Sequence, residues 1–307
     1  MTEMIRTVGL TKYYGRRRGL AGLDLDVRQG EIYGFLGPNG AGKTTTIRIL
    51  MDLIRPTGGQ ATVLGAAPRA GGTALRRRVG YLPGDFVVSG GQPAGELLTY
   101  LGHLRGGVEA ARIRALAERF DLDLKVRIGS LSKGNRQKIA VVQAFMHEPE
   151  LLILDEPTIG LDVAVKERIR EFLKTVNRER GTTILFTSHD LDDIEDVCRR
   201  LIIIDRGRII YDGDIPGLLD RYVKERRIRL QAGAAIDRVA VKRGLPEGIG
   251  IDRAAERELT VVFDRFRYTA KDVLEILIPL LDVRDFQLEE PDIEQVVKNV
   301  YEGRLEL

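Results

Sequence analysis

The sequence predicts an α/β fold built around a phosphate-binding loop, followed by a smaller α+β unit, and three observations carry that reading. Gly37-Pro38-Asn39-Gly40-Ala41-Gly42-Lys43-Thr44 matches the pattern GxxxxGK[ST]. The apolar run Ile32-Tyr33-Gly34-Phe35-Leu36 precedes it as a buried parallel strand would, while Ile47, Leu50, Met51 and Ile54 recur after it at helical spacing. A second apolar run, Leu151-Leu152-Ile153-Leu154, ends on the carboxylates Asp155 and Glu156. A glycine loop between strand and helix points successive N–H groups at an anion, and the positive end of the helix dipole adds to the attraction. Lys43 then reaches terminal phosphates as a point charge, and the Thr44 hydroxyl takes one position on Mg²⁺.

Bulk properties narrow the class. The 307 residues, 43% hydrophobic, can bury a sizeable core and suggest one large domain plus a smaller one. Lys and Arg number 48 against 45 Asp and Glu, so the net charge of +3 gives no footprint for a nucleic acid. A single cysteine, Cys198, excludes an internal disulfide and suits a reducing compartment. No apolar run is long enough to span a bilayer, and the N-terminus lacks the apolar stretch of a signal peptide, so a cytoplasmic chain is expected. His103, His147 and His189 have no metal-ligand spacing, and no zinc site is expected.

Residues 4–10 and 20–27 alternate apolar and polar positions as strands do, with Lys12 to Gly19 as the turn between them. Tyr14 is open to two readings: an aromatic that stacks on a purine, or an edge-strand tyrosine half-buried in its sheet. The run Arg16 to Arg18 reads as a solvated loop. Glycine pairs at 58–59 and 71–72 bracket a short stretch, and the segment from Arg76 to Leu82 stops at Pro83-Gly84.

Residues 96–104 and 109–120 then carry apolar side chains at helical spacing, with no strand signal before residue 151, which predicts a helical insert over about residues 84–148. Its last helix starts near Ser132, an N-cap before the stripe Ile139, Val142, Phe145 and Met146. The pair Asp155-Glu156 falls at the carboxyl end of a buried parallel strand, the edge at which open α/β sheets bind ligands. Thr183 to Phe186 is a further buried strand ending in Ser188-His189-Asp190, and the helix after it makes Cys198 a core residue. Residues 201–204 and 208–210 read as a closing hairpin.

Beyond about residue 220 the sequence reads as a linker helix rich in Arg and Lys. A strand at 258–264, a helix at 270–280, a strand at 283–289 and a helix at 292–302 follow, the last signalled by Pro291 and the stripe Ile293, Val296, Val297, Val300, Tyr301.

Over essentially residues 4–220 the chain resembles the nucleotide-binding subunit of an ATP-binding cassette (ABC) transporter, with several motifs in the family's order. Gly37 to Thr45 resembles the Walker A loop, Leu131-Ser132-Lys133-Gly134-Asn135 the family signature, and Leu151 to Glu156 the Walker B strand with its catalytic glutamate. Asp162 resembles the D-loop aspartate and His189 the switch histidine. The segment ending in Glu290-Pro291-Asp292-Ile293-Glu294 resembles the extension of drug and antibiotic exporter ATPases.

The resemblance implies a P-loop NTPase cassette, a mixed sheet core with an antiparallel β subdomain and a helical subdomain, at residues 1–220, and an accessory α+β domain at 221–307. It implies that ATP and Mg²⁺ are the cofactors and that Tyr14 is the adenine-stacking aromatic. Gly37, Pro38, Asn39, Gly40, Ala41, Gly42, Lys43, Thr44, Thr45, Ser132, Gly134 and Asp162 contact nucleotide. Thr44 and Asp155 hold the metal, and Glu156, His189 and Lys43 carry catalysis. Two copies close head-to-tail over two ATP molecules, and a permease on a separate chain places them at the cytoplasmic face of the membrane, powering export of a drug-like or lipophilic substrate. The alternatives are an importer ATPase and a soluble cassette ATPase acting on nucleic acid or the ribosome, although no nucleic-acid partner is expected.

Two departures stand out. Where the family carries glutamine, or glutamate in the exporter branch, this chain has Gly84, so either Asp85 substitutes or coupling runs through backbone and water. The signature has Lys133 in place of a glycine and Asn135 in place of the usual glutamine, with Ser132 and Gly134 retained.

Overall fold

Met1–Ile215 and Pro216–Leu307 separate into two units in the computed structural model, which describes residues 2–88, 90–188, 191–222, 224–289 and 297. In chain order the first unit holds β1 (Glu3–Tyr14), β2 (Arg17–Arg28), β3 (Ile32–Leu36), α1 (Lys43–Leu50), β4 (Gly58–Val63), α2 (Pro68–Arg78) and β5 (Val79–Leu82). It continues with α3 (Ala94–Leu104), α4 (Ala110–Arg119), α5 (Lys133–Phe145), β6 (Leu151–Asp155), α6 (Val163–Arg180), β7 (Thr183–Ser188), α7 (Leu191–Val197), β8 (Arg200–Asp205) and β9 (Arg208–Asp214).

Six strands form the central sheet in the order β5-β6-β7-β3-β8-β9, parallel except for β9. Every residue of β6 and β7 is buried, which is why these strands read as unbroken apolar runs instead of alternating ones. Register brings their carboxyl ends level: Leu36 of β3 pairs with Ser188 of β7, and Thr187 pairs with Asp155 of β6. The phosphate loop and the carboxylates thus leave the sheet at one edge.

A second, antiparallel sheet has the order β2-β1-β4. The turn expected over Lys12 to Gly19 is much shorter. Tyr13 pairs with Arg18 and Tyr14 with Arg17, so only Gly15 and Arg16 reverse the chain, and Gly15 takes the left-handed φ of +60° that such a tight reversal needs. Polar side chains masked these pairs because the tip of the ribbon buries nothing. Leu10, Leu20, Leu23 and Leu25 of this sheet share one core with Phe35 of β3 and with Ile47 and Leu50 of α1, which fixes the hairpin against the loop. Phe172 of α6 packs edge to face on Phe120 and Phe145 of the helical segment, with ring centroids at 5.3 and 5.0 Å.

The second unit begins within α8 (Ile215–Tyr222) and continues through β10 (Glu225–Ala232), α9 (Arg238–Gly244), β11 (Ile249–Ala254), β12 (Glu258–Asp264), α10 (Ala270–Leu277) and β13 (Val283–Glu289). Its antiparallel sheet has the order β11-β12-β10-β13. The basic stretch after residue 224 is therefore a strand, not the linker helix expected: Ile228, Leu230 and Ala232 alternate inward while Arg227 and Arg229 face out. Its core, with Leu259, Val261, Phe263, Val273 and Leu277, is its own. A Thr269–Asp272 capping box starts α10. The helix expected at 292–302 lies outside the described residues, apart from Val297, which is buried.

Candidate functional site

The loop between β3 and α1 is shaped by what presses on it. Gly42 has a φ of +118°, and a Cβ there would meet Leu20 Cδ2 at 2.6 Å and the Gly19 carbonyl at 2.9 Å, so no side chain fits. Ile47 and Leu50 anchor α1 in the core, and the N–H groups of its first turn, which have no helical acceptor, open towards a cleft of about 540 Å³. Lys43 is buried, donates to the Gly37 carbonyl, and stands 3.7 Å from Glu156 Oε1. Burial lowers its pKa, against the raising effect of Glu156 and Asp155.

Opposite the loop, Asp155 ends β6 fully buried. Its Oδ1 accepts from Thr187 Oγ1 at 2.8 Å and its Oδ2 from Thr44 Oγ1 at 3.0 Å. Burial pushes this carboxyl pKa up, and the two hydroxyl bonds oppose that. Glu156 follows in the left-handed region at φ +54°, a conformation that costs a non-glycine residue on the order of 1 kcal/mol. Its N–H donates to Thr187 Oγ1 at 3.0 Å, which holds the turn that aims its carboxylate at Lys43. A Thr44 hydroxyl beside the Asp155 carboxylate is an all-oxygen donor pair, the set a hard cation such as Mg²⁺ takes.

The cleft gathers Tyr14, Pro38, Asn39, Gly40, Gly42, Lys43, Thr44, Thr45, Asp155 and Glu156, with buried Ala41 in the wall behind. Gly37 also lies behind, where a Cβ would meet the Ile204 carbonyl at 2.8 Å. The Tyr14 ring, at the end of β1, packs over Gly19 with its hydroxyl 3.5 Å from Thr45 Oγ1; it is 47% exposed and lines the cleft, which fits an edge-strand tyrosine whose free half is open to a ligand. Ser132, Gly134 and Asp162 do not reach the cleft. Ser132 caps α5 by accepting from Asn135 N, Asp162 caps α6 by accepting from Val165 N, and Gly134 lies close to the Gly160 carbonyl. His189 lies outside the described residues.

Some participants carry no motif. Thr187 is a threonine at a strand end, and Gln137, buried on α5, donates to the Pro157 carbonyl at 3.2 Å, tying the signature helix to the turn after Glu156. At Gly84 a Cβ would lie 3.3 Å from the Asp155 carbonyl and 3.4 Å from Asp155 Oδ2, so the backbone itself occupies the place beside the carboxylate. Asp85 faces the cleft and pairs with Arg48 at 3.5 Å.

Comparison with known proteins agrees with this geometry. Residues 20–159 match the family model described as ABC transporter. The daunorubicin/doxorubicin resistance ATP-binding protein DrrA of Streptomyces peucetius is 34% identical over 303 residues, covering 96% of this chain and 91% of that one. The bacitracin transport ATP-binding protein BcrA of Bacillus licheniformis is 38% identical over 216 residues, covering 68% of this chain and 69% of its own. Among solved structures, an ATP-binding subunit of an ABC transporter superposes with a TM-score of 0.67 at 29% identity, covering 71% of this chain and 93% of that one.

Proposed function

Since the chain belongs to the ABC transporter family of ATP-binding subunits, we propose that it hydrolyses Mg-ATP at the cleft between the phosphate loop and Asp155-Glu156 to drive export through a separate membrane permease. It is an ATPase of the cassette type, and no helix among the described residues is long and apolar enough to cross a membrane. The observation that carries the site is the convergence of Lys43 and Thr44, from the start of α1, and Asp155 and Glu156, from the end of β6, on one cleft edge.

In this reading Tyr14 stacks on adenine and the N–H groups of the loop hold the β- and γ-phosphates. Lys43 exchanges the Gly37 carbonyl for a phosphate oxygen. Thr44 and Asp155 hold Mg²⁺, which when bound draws charge from the phosphate oxygens. Glu156 orients and deprotonates the attacking water, and His189 steadies the γ-phosphate. Ser132, Gly134 and Asp162 stand off the cleft of their own copy, which supports a homodimer in which each copy completes the other's site across a two-fold axis.

Export of a lipophilic, drug-like substrate is supported by the similarity to resistance ATP-binding proteins along nearly the whole chain. Co-expression with a multi-helix permease identified by co-purification with this chain from membranes, followed by uptake of lipophilic drugs into inside-out vesicles, tests it. ATP-dependent uptake that Glu156→Gln abolishes is the expected result; equal uptake with that variant refutes export.

A further inference from the structure

The arginine run at the hairpin tip is exposed, as a solvated loop would be, and also borders the cleft. Arg17 and Arg18 both line it, while Arg16 occupies the turn. Their position is fixed by backbone. The Ala21 N–H donates to the Gly207 carbonyl at 2.9 Å and the Gly207 N–H to the Ala41 carbonyl at 2.8 Å, so the start of β2 is strapped to the phosphate loop. The Gly19 carbonyl and Leu20 close on Gly42 so tightly that a Cβ is excluded. Arg18 is next in the chain to that contact, and Arg17 is the cross-strand partner of Tyr14 on the ribbon.

Charge pairing separates these arginines from the other cations of the cleft. Lys43 faces Glu156 and Arg48 pairs with Asp85. Among the described residues Arg17 and Arg18 have no carboxylate partner, although three carboxylates, Asp85, Asp155 and Glu156, line the same cleft. Two guanidinium groups held on rigid backbone at the mouth of a phosphate cleft, without internal counter-charge, are arranged for an external anion.

We propose that Arg17 and Arg18 are nucleotide-binding residues that clamp the polyphosphate chain from the hairpin side of the cleft, making affinity depend on the number of phosphates. The inference rests on the nucleotide reading above and adds to it a selectivity device built from the hairpin. Planar guanidinium groups reach two phosphate oxygens at once, which a lysine does not reproduce.

The test is displacement of a fluorescent ATP analogue from the full chain, in Mg²⁺, by ATP, ADP and AMP. For Arg17→Ala/Arg18→Ala the affinity for ATP should fall at least about tenfold and that for AMP less than about threefold, as loss of charge-assisted bonds to the outer phosphates requires. The unfolding temperature should match the parent chain, because neither side chain is buried. Each single variant should show the same phosphate-graded loss at smaller size, which keeps the test open should the double variant not fold. A loss for ATP below about twofold, or an equal loss for ATP and AMP, overturns the clamp. A parent chain that binds no ATP overturns the nucleotide reading itself, and is told apart by that control.

Discussion

Thr187 donates to Asp155 through a 2.8 Å hydroxyl bond, and the same oxygen accepts the N–H of Glu156 at 3.0 Å. One side chain on β7 thereby sets both the carboxylate beside Thr44 and the backbone turn that presents Glu156. Thr187→Val keeps the shape and removes both bonds, so ATP hydrolysis should fall by roughly tenfold or more, the worth of 1–3 kcal/mol for leaving a buried carboxylate short of a donor. Thr187→Ser should restore most of it. Phosphate release at saturating ATP reads this, and an unchanged rate in the valine variant would remove Thr187 from the positioning role.

Glu156→Gln should retain ATP binding while slowing hydrolysis by roughly 10²–10⁴, the usual worth of a positioned general base. It should also trap a closed dimer. Light scattering with ATP reports the mass, and a variant that turns over at the parent rate would refute the assignment of Glu156.

Lys43→Ala removes the one cationic side chain within the loop and should abolish tight ATP binding. The lysine is held among the Gly37 carbonyl, Glu156 and Asp155, so its loss also removes the positive charge nearest to two carboxylates. Calorimetric titration with Mg-ATP distinguishes the two effects: binding lost with the fold intact supports a phosphate contact, whereas binding at parent affinity would sink it.

Acid stability is expected to depend on His147. Burial above all, then the Arg105 charge, brings its pKa from 6.5 down to about 4, against a 3.3 Å bond to the Val79 carbonyl, with Arg112 lowering it further. The folded state thus holds this proton more weakly than the unfolded chain. Its contribution to stability is complete above pH about 6.5 and is lost as the pH falls towards about 4. The unfolding temperature of the parent should drop through that window more steeply than that of His147→Gln, and parallel curves would exclude His147 as the cause.

A chain ending after Tyr222 should still fold its first unit and bind ATP. The cleft lies wholly within Met1–Ile215, and the apolar cores of the two units share no residue. Loss of ATP binding in a folded truncation would refute a division of labour in which the second unit serves assembly or regulation.

The legible parts of the sequence were those in which chemistry forces a pattern. A strand buried on both faces must be an apolar run, and a loop that wraps phosphate must be short of side chains, so β3, β6, β7 and Gly37 to Thr44 stood out. Thr187 did not, because a hydroxyl at a strand end is ordinary and its use depends on register with Asp155. Arg17 and Arg18 were hidden for a related reason: whether a charged ribbon tip meets solvent or a cleft is decided by what it folds over, here Gly42. In β10 only Ile228, Leu230 and Ala232 point inward between arginines and a glutamine, too brief an alternation to outweigh a basic stretch that also suits a helix.

The strand order has one more consequence. Between β3, which leads to the phosphate loop, and β6, which ends in Asp155, stands a single strand, β7. Two interstrand spacings make a gap of about 10 Å, set by the backbone ladder and beyond the reach of any side-chain exchange. The sheet therefore acts as a ruler: mutation can alter the side chains that stand on it, as Thr187 does now, but not the backbone spacing from which they reach across. Substitutions can rewrite the cleft's mouth, where the arginines sit, without respacing the strands beneath it.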